Sequence, residues 1–189
     1  MKSHARVVVI GGGAVGVATL YHLTKKGWSD VVLVERKELT SGSTWHAAGL
    51  LPLFNMSYSV GQIHKHSVAL YQDLEAETGQ DVGLRQVSNI RLAMNRDRMD
   101  EYHQYAGVAE TIGVTVEFLS PRQVEEIWPL CNIEGLVGAI RHPADGYIQP
   151  ADLTQALARG ARNGGAEIYR QTAVVGITQK PSGEWLVKT

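Results

Sequence analysis

An α/β fold organised around a parallel sheet is predicted by three observations. The run Val7-Val8-Val9-Ile10 is an unbroken β-favouring apolar stretch, the kind that forms a strand covered on both faces inside a parallel sheet. Ala14 to Lys26 favours a helix with Val17, Leu20, Tyr21 and Thr24 on one stripe, and Gly27 follows as its C-terminal stop. Val31 to Val34 is a second apolar strand. Strand, helix and strand within about 30 residues make a right-handed parallel crossover.

Composition narrows the classes of function. The 189 residues can bury roughly 70% of the surface that the unfolded chain exposes, enough for one domain or one and a half. With 44% hydrophobic and 20% charged residues and no low-complexity tract, the chain is expected to fold. A formal net charge of -1 supplies no electropositive field, so neither nucleic acid nor an acidic membrane is an expected partner. Small-molecule chemistry fits better. The single cysteine, Cys131, excludes an internal disulfide framework and reads as a buried thiol without a chemical role. Nothing resembles a metal-ligand cluster, so no metal is expected. The first apolar run stops at Gly11, too short for a signal peptide or membrane span, which points to the cytoplasm or an organelle matrix.

The rest of the chain is less regular. Ile63 to Thr78 carries Ile63, Leu70, Tyr71 and Leu74 at helical spacing, and Gly79 ends it. A helix over about 97–112 turns Met99, Tyr102, Ala106 and Ala109 inward, and 90–94 and 114–119 read as strands. Ser120-Pro121-Arg122-Gln123 is a capping box with proline at the first helical position. Pro150 opens an amphipathic helix that ends at Gly164-Gly165, and short strands follow at 167–169, 173–179 and 185–188, the last two joined by a Pro181-Ser182-Gly183 turn. Three segments result: 1–79 as the first part of one domain, 80–145 as part of a second lobe, and 146–189 as the return to the first domain. The chain stops within a strand, which suggests a truncated gene product.

Between the first strand and helix, Gly11, Gly13 and Gly16 fit G-x-G-x-x-G. The spacing serves a tight turn, close approach of backbone to a pyrophosphate, and close helix packing, and a side chain at any of the three is expected to collide. The helix starting near Ala14 aims free N–H groups and about half a positive charge at that anion. Glu35 ends the second strand about 20 residues on, where an acid meets a ribose hydroxyl. A glycine pattern alone describes any strand-to-helix loop, and Glu35 alone any exposed carboxylate. Strand, turn, helix and acid together point to a dinucleotide. Glu35 would repel a 2′-phosphate, so NADP is disfavoured, while NAD and FAD both present a free ribose diol. The loop from Leu39 to Leu51, rich in small and hydroxyl residues, decides for FAD, because NAD does not need this second patch of phosphate and ring contacts.

That loop carries a resemblance. Ser43-Thr44-Trp45-His46-Ala47-Ala48-Gly49-Leu50, with Val8-Val9-Ile10-Gly11-Gly12-Gly13, Val34-Glu35-Arg36, Leu74-Glu75-Ala76-Glu77-Thr78-Gly79-Gln80 and Asp145-Gly146-Tyr147-Ile148-Gln149-Pro150, resembles the dimethylglycine and sarcosine dehydrogenase family within the glycine-oxidase-like FAD amine oxidoreductases. The likeness runs along nearly the whole chain. It implies a Rossmann-like FAD-binding domain, with parallel sheet and crossover helices, and part of a second α+β substrate lobe. It implies FAD contacts from Ala14, Val15, Glu35, Arg36, Ser43, Thr44, Trp45, His46 and Leu50, and a backbone contact of Val174 with the adenine edge. His46 matches the histidine that family members join covalently to the flavin 8α-methyl group; a neutral imidazole is a competent nucleophile there. Noncovalent lining of the pocket is the alternative for His46, and the other histidines read as ordinary polar residues. Gln149 departs from the aspartate that relatives often carry.

By the same resemblance the reaction is oxidation at the CH-NH group of a secondary or tertiary amino acid such as dimethylglycine or sarcosine. The product iminium hydrolyses to formaldehyde or is intercepted by tetrahydrofolate bound in a C-terminal region. The electron acceptor is oxygen or an electron-transfer flavoprotein. The substrate-facing catalytic side chains are expected beyond Thr189, so the chain alone is not expected to turn over. A non-catalytic regulatory or scaffold relative, or another amino-acid or hydroxy-acid oxidase, are the competing readings.

Overall fold

Val7–Ile10 (β1) and Val31–Val34 (β2) pair in parallel, Val7 opposite Val31 through Ile10 opposite Val34, and Ala14–Lys25 (α1) crosses between them. The computed structural model describes residues 1–189 and divides into two units, one of 1–49, 73–83 and 149–189, the other of 50–72 and 84–148.

In the first unit Glu167–Tyr169 (β8) adds in parallel to β2, giving the order β1-β2-β8. The central strand, β2, has all four side chains buried. The first strand departs from expectation. Val7 to Val9 are only half-buried and Ile10 is 49% exposed, because β1 has a single neighbour and lies at the sheet edge. Val17, Leu20 and Tyr21 of α1 are buried against Pro150–Asn163 (α5), whose Leu153, Ala156, Leu157 and Ala161 face inward as its spacing predicts. Small residues let the two helices approach: a Cβ on Gly160 would lie 2.7 Å from Tyr21 Cε2, and one on Gly164 2.6 Å from Thr24 Cβ. An antiparallel hairpin of Gly176–Gln179 (β9) and Trp185–Lys188 (β10) completes the unit. Residues 173–175, predicted as strand, have no ladder partner and form a loop.

The second unit contains Leu50–Leu51 (β3), the greater part of Tyr58–Thr78 (α2), Asn89–Ala93 (β4), Arg96–Ile112 (α3), Glu117–Leu119 (β5), Pro121–Ile127 (α4), Gly138–His142 (β6) and Gly146–Tyr147 (β7). Its three-stranded antiparallel sheet has the order β4-β6-β5. The helix α2 begins five residues earlier than Ile63, and Ile63 is exposed rather than inward. The helix packs through Gly61, where a Cβ would lie 2.4 Å from Ile112 Cδ1, and that contact sets the inward stripe. In α3 the buried residues are Tyr102, Tyr105, Ala109 and Ile112, so the deep contact of Tyr105 replaces that expected of Ala106. Only 117–119 of the predicted 114–119 strand pairs with β6. The capping box of α4 forms in both directions, with Ser120 Oγ accepting from the Gln123 amide and Gln123 Oε1 accepting from the Ser120 amide. Cys131 is half-buried, not buried. No helix is long and apolar enough to cross a membrane.

Candidate functional site

The glycine turn after β1 is built from backbone requirements that differ at each position. Gly11 has φ +110°, a conformation that L side chains rarely adopt, and its amide donates to Val34 O at 2.9 Å. No atom lies within 4 Å of the Cβ that Gly11 lacks, so conformation demands glycine there, not the expected collision. Gly16 is the reverse case: a Cβ would lie 2.0 Å from Gly11 O, so glycine is what lets α1 approach the end of β1. A Cβ on Gly13 would meet Thr44 Oγ1 at 3.1 Å, and one on Gly12, outside the three-glycine pattern, would meet Leu39 Cδ2 at 2.5 Å.

Gly13 caps α1 without a side-chain hydrogen bond, and the first turn contains no acidic residue. The positive end of the helix is therefore not neutralised by a carboxylate of its own. The Ala14 amide donates to Thr44 Oγ1 at 3.0 Å, which puts a hydroxyl oxygen where the helix binds an acceptor. Val15 is 82% exposed, so the first turn stays open. Glu35 is held by two peptide donors, Gly12 N–H on Oε2 at 2.6 Å and Lys37 N–H on Oε1 at 2.8 Å, and its remaining lone pairs are free for a diol. The loop 40–46 hangs from the same turn. The Thr40 amide, at φ +69°, donates to Gly12 O at 2.9 Å, and the Trp45 amide donates to Thr40 O at 3.2 Å.

The structure brings Gly11, Gly13, Ala14, Gly16, Glu35 and Thr44 into one contact set. Arg36 and Val174 line a cavity of about 220 Å³ with Ile10, Gly11, Val34, Glu35, Thr172 and Ala173. Ser43, Trp45 and His46 lie exposed on the single 3-10 turn Thr44–His46 or at its cap, the two rings edge to face at 4.9 Å. Leu50 belongs to β3 of the second unit and is exposed. Sequence reasoning missed Gly12, Thr40 and Thr172. The triple-glycine run was a signal for the first; the other two depend on tertiary contacts with no local signature.

The second unit contains a buried polar cluster. Leu53 is held on both sides of its backbone: its amide donates to Asp145 Oδ1 at 2.9 Å, and its carbonyl accepts from the Tyr105 hydroxyl at 3.2 Å. That hydroxyl also lies 3.1 Å from His142 Nε2. His142 is 0% and Asp145 1% exposed. Burial, reinforced by Arg91, depresses His142 to about 4. Burial raises Asp145 to about 6 against the opposing pull of the Leu53 amide, Arg91 and His64. Beside this cluster Leu50 to Leu53, His64, Ser67, Val68 and Tyr71 line a cavity of about 250 Å³.

A parallel sheet with a glycine turn, an open helix end and a carboxylate held beside them defines a dinucleotide-binding α/β protein. Residues 6–189 match the family described as FAD dependent oxidoreductase, and the chain belongs to that family. It is 43% identical to mitochondrial dimethylglycine dehydrogenase of Rattus norvegicus over 189 residues, all of this chain and 22% of that protein. It is 37% identical to the mitochondrial pyruvate dehydrogenase phosphatase regulatory subunit of Mus musculus over 180 residues, 95% of this chain and 20% of that one. The crystal structure of glycine oxidase from Geobacillus kaustophilus superposes with a TM-score of 0.81 at 30% identity, covering 97% of this chain and 50% of that one. The chain thus spans about a fifth of the length of the two curated relatives.

Proposed function

We propose that the chain carries the FAD-binding apparatus of an oxidoreductase acting on the CH-NH group of a secondary or tertiary amino acid, of the dimethylglycine or sarcosine type. The observation that carries this reading is the Gly11–Gly16 turn, with an unneutralised helix end on one side and the doubly held Glu35 carboxylate on the other. The residues present fit the cofactor: Gly16 would be blocked by any Cβ, and the α1 amides and Thr44 hydroxyl suit a diphosphate. The likeness to dimethylglycine dehydrogenase supports the substrate class.

When bound, the flavin supplies a two-electron acceptor for the C–H bond next to the amine nitrogen. In this reading the turn and α1 bind the diphosphate, Glu35 and Arg36 hold the adenosine ribose, Val174 meets the adenine edge, and Ser43 to Trp45 orient the ring system. His46 is assigned the covalent link to the flavin. Tetrahydrofolate is assigned to polypeptide outside these residues, and oxygen or an electron-transfer flavoprotein to the role of electron acceptor. The compartment is the cytoplasm or, in a eukaryote, the mitochondrial matrix. The regulatory-subunit relative favours a second reading, a non-catalytic member of the family that needs no covalent flavin.

Acid precipitation of the flavin-loaded chain separates the two. The wild-type pellet is expected to stay yellow, and the His46→Ala pellet to release its colour to the supernatant. His46 is exposed, so the substitution should leave the fold intact. Colour released by both proteins ends the covalent assignment, and a chain that takes up no flavin at all ends the first reading.

A further inference from the structure

We propose that Glu38 is a positioning residue for the adenosine side of the dinucleotide site, strapping Arg170 and Gln171 to the turn after β2 and so setting the wall formed by Thr172 to Val174. The inference rests on the dinucleotide reading of the first unit.

The wall has no sheet to hold it. The strand β8 ends at Tyr169, and ladder pairing resumes only at β9, leaving 170–175 irregular. Three residues of this stretch nevertheless line the cavity opposite Ile10, Gly11, Val34, Glu35 and Arg36. Backbone contacts supply part of the anchorage: the Thr172 amide donates to Glu35 O at 2.8 Å and the Gln171 amide to Lys37 O at 3.2 Å. Gln171 itself has φ +53°, a left-handed conformation that a non-glycine residue keeps only when its surroundings over-determine it.

Glu38 provides that determination with both oxygens. Its Oε1 accepts from the Gln171 side-chain amide at 2.9 Å, and its Oε2 from the Arg170 guanidinium at 2.5 Å. The two donors are the strained residue, Gln171, and the residue before it, so one carboxylate ties the entry to the turn and the left-handed position itself. The Gln171 amide first, then the Arg170 guanidinium, holds the Glu38 carboxyl below its ordinary range. An exposed ion pair alone contributes little. What gives this one consequence is its place: it ties by side chains a loop that the Gln171, Thr172 and Val175 amides otherwise hold through backbone carbonyls, and that loop is a wall of the cavity. Glu38 is not among the lining residues and acts through its hydrogen bonds to Arg170 and Gln171.

The test compares two probes on the whole 189-residue chain by isothermal titration calorimetry. ADP needs the adenosine wall and the glycine turn, whereas inorganic pyrophosphate needs only the turn and the end of α1. Glu38→Ala is expected to weaken ADP about fivefold, a loss of the size a well-placed surface ion pair supplies, with pyrophosphate affinity unchanged. Glu38→Gln, which keeps one acceptor, should fall between. In a Gln171→Gly background, where the left-handed turn needs no restraint, the Glu38→Ala loss should shrink. Equal loss of both probes, or no loss of ADP, overturns the assignment of Glu38 while leaving the dinucleotide reading intact. A wild-type chain that binds neither probe overturns the dinucleotide reading, and the role of Glu38 with it.

Discussion

Gly16→Ala is expected to abolish useful FAD binding and to destabilise the first unit by about 3 kcal/mol, the upper end for overpacking a site that cannot relax. The new methyl would lie 2.0 Å from Gly11 O, a backbone atom that cannot rotate away. Relief requires α1 to retreat from β1, which moves the helix end from the turn it faces and should cost about a hundredfold in FAD affinity. Gly11→Ala provides the contrast. It meets no atom, and its cost arises from forcing alanine to φ +110°, about 1–3 kcal/mol of backbone strain. Urea unfolding and flavin-fluorescence titration of both variants check the distinction. An unperturbed Gly16→Ala protein would mean that α1 and β1 are not packed as described.

The second large effect concerns pH. Buried His142 holds its proton only below about 4, against about 6.5 when unfolded, so it costs stability as pH falls from 6.5 to 4. Asp145 behaves oppositely: it keeps its proton up to about 6, against 3.8 unfolded, so the folded state binds more protons in that window and stability rises as pH falls from 6 to 3.8. Each shift corresponds to about 3 kcal/mol at about 1.4 kcal/mol per unit. Between pH 4 and 6 the folded pair carries one proton on Asp145 and the unfolded pair one on histidine, so the two slopes cancel. Removing either partner should expose the other. Relative to wild type, Asp145→Asn should lose about 3 kcal/mol of stability between pH 6.5 and 4, and His142→Gln should gain about 3 kcal/mol between pH 6 and 4. Urea denaturation at unit pH steps measures this, and variant curves parallel to wild type would refute it.

The parts of the molecule legible in the sequence are those whose cause is local. The crossover β1-α1-β2 was readable because apolar runs, a helical stripe and glycine punctuation fall within 28 consecutive residues. The capping box at Ser120 and the proline start of α5 were readable for the same reason. Strand β6 was not. Gly138-Ala139-Ile140-Arg141-His142 shows no clean alternation, and it is a strand because β4 and β5, from distant sequence, pair on both its sides. Conversely 114–116 and 173–175 have strand-forming residues but belong to no ladder. In the site, Gly11, Gly13, Gly16 and Glu35 were visible as a spaced motif. Thr40, Thr172 and Glu38 were hidden, since each acts by reaching across to another stretch of chain.

The seam between α1 and α5 has a consequence for synthesis on the ribosome. The glycine turn is translated before any of the second unit, yet the helix that covers α1 opens only at Pro150, after every strand and helix of the second unit has been made. Vectorial folding should therefore let the intervening 84–148 stretch settle while the nascent α1 still has Leu20 and Tyr21 bare. The earliest-made part of the nucleotide site is among the last to gain its apolar cover, and this interval is when the chain is most open to capture by a chaperone.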